Sequence, residues 1–175
     1  MSLEEILMAD DVVSSIRNHM DELLSLIPEL KPCIGFDQKH PHHHLDVFEH
    51  TLLALSFSPK DFEIRLTLLL HDIGKPFSFY EEDGVRHFPN HAERSKEISE
   101  FILERFSYSP KFKREVLYLI REHDTEIKTE ELLYDYDLSY KKYTVQRCDA
   151  LAHHPEKLEK RKKYLEETKQ LFKKY

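Results

Sequence analysis

A chain of 175 residues with only three glycines has few places to turn tightly. Ordinary usage would supply about 12, so glycine is depleted roughly fourfold. All-β architectures need many glycine-containing turns and are disfavoured. Gly35, Gly74 and Gly84 also lie far apart. No glycine-rich phosphate loop can be built from them, which disfavours Walker-type and Rossmann nucleotide binding. The expectation is a helical protein that handles its ligands with side chains. Its 12 histidines suggest which ones. Imidazole is the commonest metal ligand and the usual base near neutral pH.

The length fits one domain, and 40% hydrophobic residues suffice for one core. The net charge of −7 is uneven. Residues 156–175 carry a local +4, which leaves −11 on the rest. That sign argues against binding to an extended nucleic-acid duplex. The basic C-terminal helix reads as a solvated face. Cys33 and Cys148 are too few for a disulfide framework. With no secretory h-region and no membrane-length apolar run, a cytoplasmic protein without membrane partners is expected.

Along the chain, residues 3–26 have the spacing of one amphipathic helix, closed by Pro28 and Pro32. A histidine-rich loop over 32–44 precedes a helix over 45–57. Ser58-Pro59 predicts a restart, with the next helix running through IRLTLLLHDI to Gly74 and Pro76. FSFYEEDGVRHF reads as a short hairpin or lid near 77–88, turning at Asp83-Gly84. Helices are expected over 91–106, capped by Asn90, and over 110–123, restarted by Ser109-Pro110. A short helix near 129–134 sits in an irregular link, and 140–153 and 155–173 form the last two helices. The tyrosines of 134–143 read as packing residues. The chain is expected to be one domain over 1–175, with a core of about 43–155 between the N-terminal helix and the basic C-terminal one.

His71-Asp72 is the most informative pair, because it ends a buried apolar helix. Buried charge is costly unless paired or bound to metal. His50, His91, His123 and Asp149 fall one each on neighbouring segments. Drawing such ligands from separate helices is how bundles build metal sites in their cores. Mixed His/Asp ligation suits Fe, Mn, Ni, Co or Zn, and also admits Mg. Lys75, three residues after Asp72, is a candidate for holding a substrate phosphate. Asp46 lies on the same helix face as His50, either orienting that ring or serving as a helix N-terminal charge. His153, four residues after Asp149, is a candidate to face the same site. His40, His42 and His44 read as solvated loop residues, His154 as facing away from the site, and His19 and His87 as structural.

The ordered set of His50, His71-Asp72 with IGK following, His91, His123 and Asp149 resembles the HD superfamily of metal-dependent phosphohydrolases. PELKPCIGFDQKHPHHHLDVFEHTLLAL, LLLHDIGKP and DGVRHFPNHAERS resemble the HD region of bacterial tRNA nucleotidyltransferases over roughly residues 25–155. The nucleotidyltransferase head has no counterpart here, so CCA addition by that route is not expected. The chain reads as a free-standing HD domain or a piece of a longer protein. The resemblance implies an all-α, single-domain HD-type helical bundle. It further implies His50, His71, Asp72 and Asp149 as ligands of one divalent metal, with His91 and His123 available for a second. The implied chemistry is hydrolysis of a phosphomonoester or a (cyclic) phosphodiester by metal-activated water, with Asp72 and Lys75 as catalytic residues and His43, Lys75 and His153 binding a small phosphorylated substrate, a nucleotide or an RNA end. Two other readings fit the same residues, a non-catalytic RNA- or partner-binding module and a di-iron oxygenase on the same scaffold.

Overall fold

The computed structural model describes all residues, 1–175. It is an all-α bundle with one two-stranded hairpin. The helices are α1 (Leu3–Leu7), α2 (Val12–Asn18), α3 (Met20–Leu26), α4 (Val47–Ser56), α5 (Phe62–Leu70), α6 (His91–Glu104), α7 (Pro110–Arg121), α8 (Thr129–Tyr134), α9 (Tyr136–Leu151) and α10 (Pro155–Lys174). Strands β1 (Tyr80–Glu82) and β2 (Val85–His87) pair antiparallel around Asp83-Gly84. Both turn residues have positive φ, +51° and +75°, the left-handed pair that a tight Asp-Gly hairpin turn requires. No helix is long and apolar enough to cross a membrane.

Helix α5 is the axis of the fold. Every residue from Glu63 to Leu70 is buried, and the helix packs against α1, α4, α7 and α9. A helix covered on all sides must satisfy its polar residues internally. Arg65 does so by donating to the carbonyls of Leu7 at 2.6 Å and Ala9 at 2.8 Å, the open C-terminal end of α1. Because α5 is central, the His71-Asp72 pair that follows it emerges in the middle of the bundle.

The N-terminal segment forms three helices, not one. Asp11 accepts from Ser14 N at 3.0 Å and starts a new helix at Val12, and His19 marks the joint with α3. A single straight helix of that length would run about 36 Å. The broken path instead wraps Leu3, Ile6, Leu7, Val12, Ile16 and Leu23 into one core. Other helix starts also move. Ser58 bonds back to the Leu55 carbonyl, and Asp61 caps α5 by accepting from Ile64 N. Asp135 caps α9 at Leu138 N, so the helix begins at Tyr136, inside the stretch expected to be irregular. Asn90 precedes α6 with φ +57° and no side-chain cap bond. Of the tyrosines in 134–143 only Tyr143 is buried, and Tyr134 is 93% exposed.

Candidate metal centre

Five segments bring the candidate residues to one point. His50 comes from α4, His71 and Asp72 from the turn after α5, His91 from the first turn of α6, His123 from just beyond α7, and Asp149 from α9. Each imidazole uses Nδ1 in the same way. His50 donates to the Ala152 carbonyl at 3.1 Å, His71 to Leu68 at 2.6 Å, His91 to Phe88 at 3.1 Å and His123 to Ile120 at 2.6 Å. A carbonyl can only accept, so the proton sits on Nδ1 and the Nε2 lone pair faces inward. Backbone carbonyls of this kind fix the tautomer of ligating histidines.

The inward atoms form two groups that share Asp72. Donor atoms of His50, His71, Asp72 and Asp149 lie within 4.8 Å of one another, as do those of Asp72, His91 and His123. Asp149 Oδ1 is 2.8 Å from His50 Nε2 and 3.2 Å from His71 Nε2. Asp72 turns Oδ2 toward His71 at 3.3 Å and Oδ1 toward His91 at 3.4 Å. The Nε2 atoms of His91 and His123 face each other at 3.3 Å. Asp72 Oδ1 is buried with no hydrogen-bond partner. Lone pairs directed at lone pairs, around a buried carboxylate oxygen with no donor, need a cation between them. These residues therefore fit one or two divalent metal ions, with nitrogen and oxygen donors suited to a transition metal.

Without metal, protons take that place. Burial opposes charge on His71, but the Asp72 and Asp149 carboxylates outweigh it and raise its pKa to about 10. Burial also works against ionised Asp72 and Asp149, yet His71 and Lys75 around the first, and His153, His50 and His71 around the second, hold both well below the usual carboxylate range. Burial pushes His91 down to about 4 and His153 to about 3, and lowers His43 as well.

The signs give a pH profile. The raised His71 contributes stability fully below its ordinary 6.5, and that contribution is lost as pH rises through about 10. The depressed His43, His91 and His153 act oppositely. Below 6.5 the unfolded chain takes their protons first, so stability falls toward pH 4 and 3. The aspartates add a further loss below their ordinary 3.8. The urea midpoint of chelator-treated protein is therefore expected to peak near pH 6.5 and to fall on both sides. Metal displaces the His71 proton, so saturating metal should flatten the alkaline arm. A midpoint that rises steadily to pH 9 without metal would contradict this charge arrangement.

The remaining candidates are placed as follows. Lys75 is buried, and its ammonium bonds Asp72 Oδ2 at 3.0 Å and Gln38 Oε1 at 2.8 Å. Its ammonium is thus committed within the protein, to one ion pair and one hydrogen bond. Asp46 does not orient His50. Its carboxylate caps α4 at Glu49 N, 2.8 Å away, and the Ala152 carbonyl orients the ring instead. His153 Nε2 is 3.9 Å from Asp149 Oδ1, and the His43 ring lies 4.8 Å from the His153 ring. His40 and His42 are not free loop residues: their rings sit 5.1 Å apart, and the His42 carbonyl accepts from His154 N at 3.0 Å. Gln38, fully buried beneath Lys75, has no signature in the sequence.

The family model of the HD domain matches residues 42–169, most of the chain and all six of His50, His71, Asp72, His91, His123 and Asp149. The chain belongs to the HD domain family. Among curated proteins it is 35% identical to the CC-adding tRNA nucleotidyltransferase of Thermus thermophilus over 104 residues, covering 55% of this chain and 24% of that protein. It is 31% identical to the A-adding tRNA nucleotidyltransferase of Deinococcus radiodurans over 112 residues, 60% of this chain and 26% of that protein. This HD domain thus spans about a quarter of the length of these relatives.

Proposed function

We propose that this HD domain is a metal-dependent phosphohydrolase acting on a phosphomonoester or (cyclic) phosphodiester of a nucleotide or RNA end. The observation that carries the reading is the convergence of four Nε2 lone pairs on Asp72 and Asp149. His50, His71, Asp72 and Asp149 would hold one metal, and Asp72, His91 and His123 a second. Bound there, a divalent metal supplies Lewis acidity toward phosphoryl oxygens and an activated water nucleophile. Asp72 would orient that water through Oδ1, which has no donor of its own. Lys75 holds Asp72 ionised and in position. His43 and His153 form the adjoining wall, neutral near pH 7 and able to hydrogen-bond a substrate. The tRNA nucleotidyltransferase relatives and the acidic charge outside α10 favour a small nucleotide or an RNA end over a duplex.

The test is metal analysis of protein purified without chelators, paired with a phosphate-release screen over nucleotides, 2′-phosphates and 2′,3′-cyclic phosphates. One to two bound metal equivalents are expected, with turnover that a chelator abolishes and metal restores. Metal-free protein without turnover would favour the binding-module reading. Bound iron with an absorption band and oxygen uptake would favour the oxygenase.

A further inference from the structure

Lys157 is unfavourably placed for a residue with only a structural role. It is the third residue of α10, a helix of 20 residues. A positive charge there opposes the helix dipole, whose N-terminal end already carries about half a positive charge. The side chain is half-buried, and its one polar partner is His153 Nε2 at 3.2 Å. That partner is neutral and offsets the charge poorly. A solvated lysine of the same helix, such as Lys163, has no such constraint.

The surroundings of Lys157 have spare hydrogen-bonding capacity. His153 is only 8% exposed, and its Nδ1 has no partner. Because Nε2 accepts from Lys157, Nδ1 carries the proton and is a buried, unused donor. The neighbouring His43 also has a buried Nδ1 without a partner. His153 Nε2 lies 3.9 Å from the metal-facing oxygen of Asp149, so two short contacts separate the Lys157 ammonium from the centre. The bond from His154 N to the His42 carbonyl pins the start of α10 to the histidine loop and holds this wall in place. Lys75, the other cation at the site, is committed to Asp72 and Gln38.

We propose that Lys157 and His153 form an anion subsite at the rim of the metal centre, which receives phosphoryl oxygens of the substrate. An incoming phosphate would meet the ammonium beside His153 and His43, whose Nδ1 donors are unused. The assignment of the anion to a substrate rests on the phosphohydrolase reading; the subsite itself does not. It makes α10 part of the active site and not a solvated appendage.

The test uses the full chain and inorganic phosphate. Phosphate binding is measured by calorimetry on chelator-treated protein, and KM and kcat are measured for p-nitrophenyl phosphate on the metal-loaded protein. Lys157→Met should weaken phosphate binding and raise KM, each by about 10- to 100-fold, as expected for loss of one charge-assisted hydrogen bond, with a smaller change in kcat. Lys157→Arg should recover most of both, and Lys163→Met should change neither. Lys157→Met protein that binds phosphate as tightly as the wild type would overturn the subsite, as would a wild type that binds none. Lys157-dependent phosphate binding in a protein without metal-dependent turnover would uphold the subsite and sink the hydrolase reading.

Discussion

Asp72→Asn should lower metal-dependent phosphoester turnover by about 10³-fold or more and remove metal from both halves of the centre together. The reason is that one carboxylate serves two groups, Oδ2 toward His50 and His71 and Oδ1 toward His91 and His123. Replacing Asp149 should empty only the group it belongs to, and His91→Ala only the other. Metal analysis of the three variants separates a shared ligand from two independent sites. Asn keeps the shape of Asp72 and is the sounder probe. Asp72→Ala strips buried Lys75 of its only charged partner, and breaking a buried pair in this way costs about 3–5 kcal/mol. Asp72→Asn protein with wild-type metal content and turnover would refute the shared centre.

Gly74→Ala is expected to destabilise the fold by about 1–3 kcal/mol, a melting shift of roughly 3–10 °C for a chain of this size. Gly74 has ordinary backbone angles, so conformational freedom is not the issue. Space is. A Cβ there would lie 2.5 Å from Ser95 N and 2.8 Å from the Arg94 carbonyl carbon, both backbone atoms of α6. The helix would have to retreat, breaking the 2.9 Å bond from Gly74 N to Ser95 Oγ. Because α6 carries His91, the same methyl should loosen the Asp72–His91–His123 group while leaving the His50 side largely intact. Thermal melting and metal stoichiometry of the variant test both parts. An unchanged melting temperature would mean that α6 does not pack on Gly74 as described.

Much of the centre was legible in the sequence because burial makes titratable residues conspicuous. His71-Asp72 closes an apolar helix and Asp149 lies within another, and neither placement is cheap without a partner. The hairpin was legible for a similar local reason, since Asp83-Gly84 has one favoured use between alternating residues. What stayed hidden depends on chain partners far away. The Ala152 carbonyl orients His50, and a backbone atom leaves no mark on residue type. Gln38 fills a buried position under Lys75 that only the folded loop creates. Lys157 is one of eight basic residues in a stretch that reads as a solvated face. The break at Asp11 was missed because apolar spacing over 3–26 fits one helix as well as three. Tertiary wrapping, not local periodicity, decides between them.

The contacts of the centre also determine when it can form. His50 meets Asp149 across 99 residues of sequence and the Ala152 carbonyl across 102. Loops that long are closed late, since their entropy must be lost before the contact returns anything. The centre is therefore expected to join as a seam after α4, α5 and α9 have docked, late in folding. Weakening it should leave the folding arm of a chevron nearly unchanged and raise the unfolding arm. Metal would then act as a latch on an already assembled chain, setting how long the native state lasts more than how quickly it is reached.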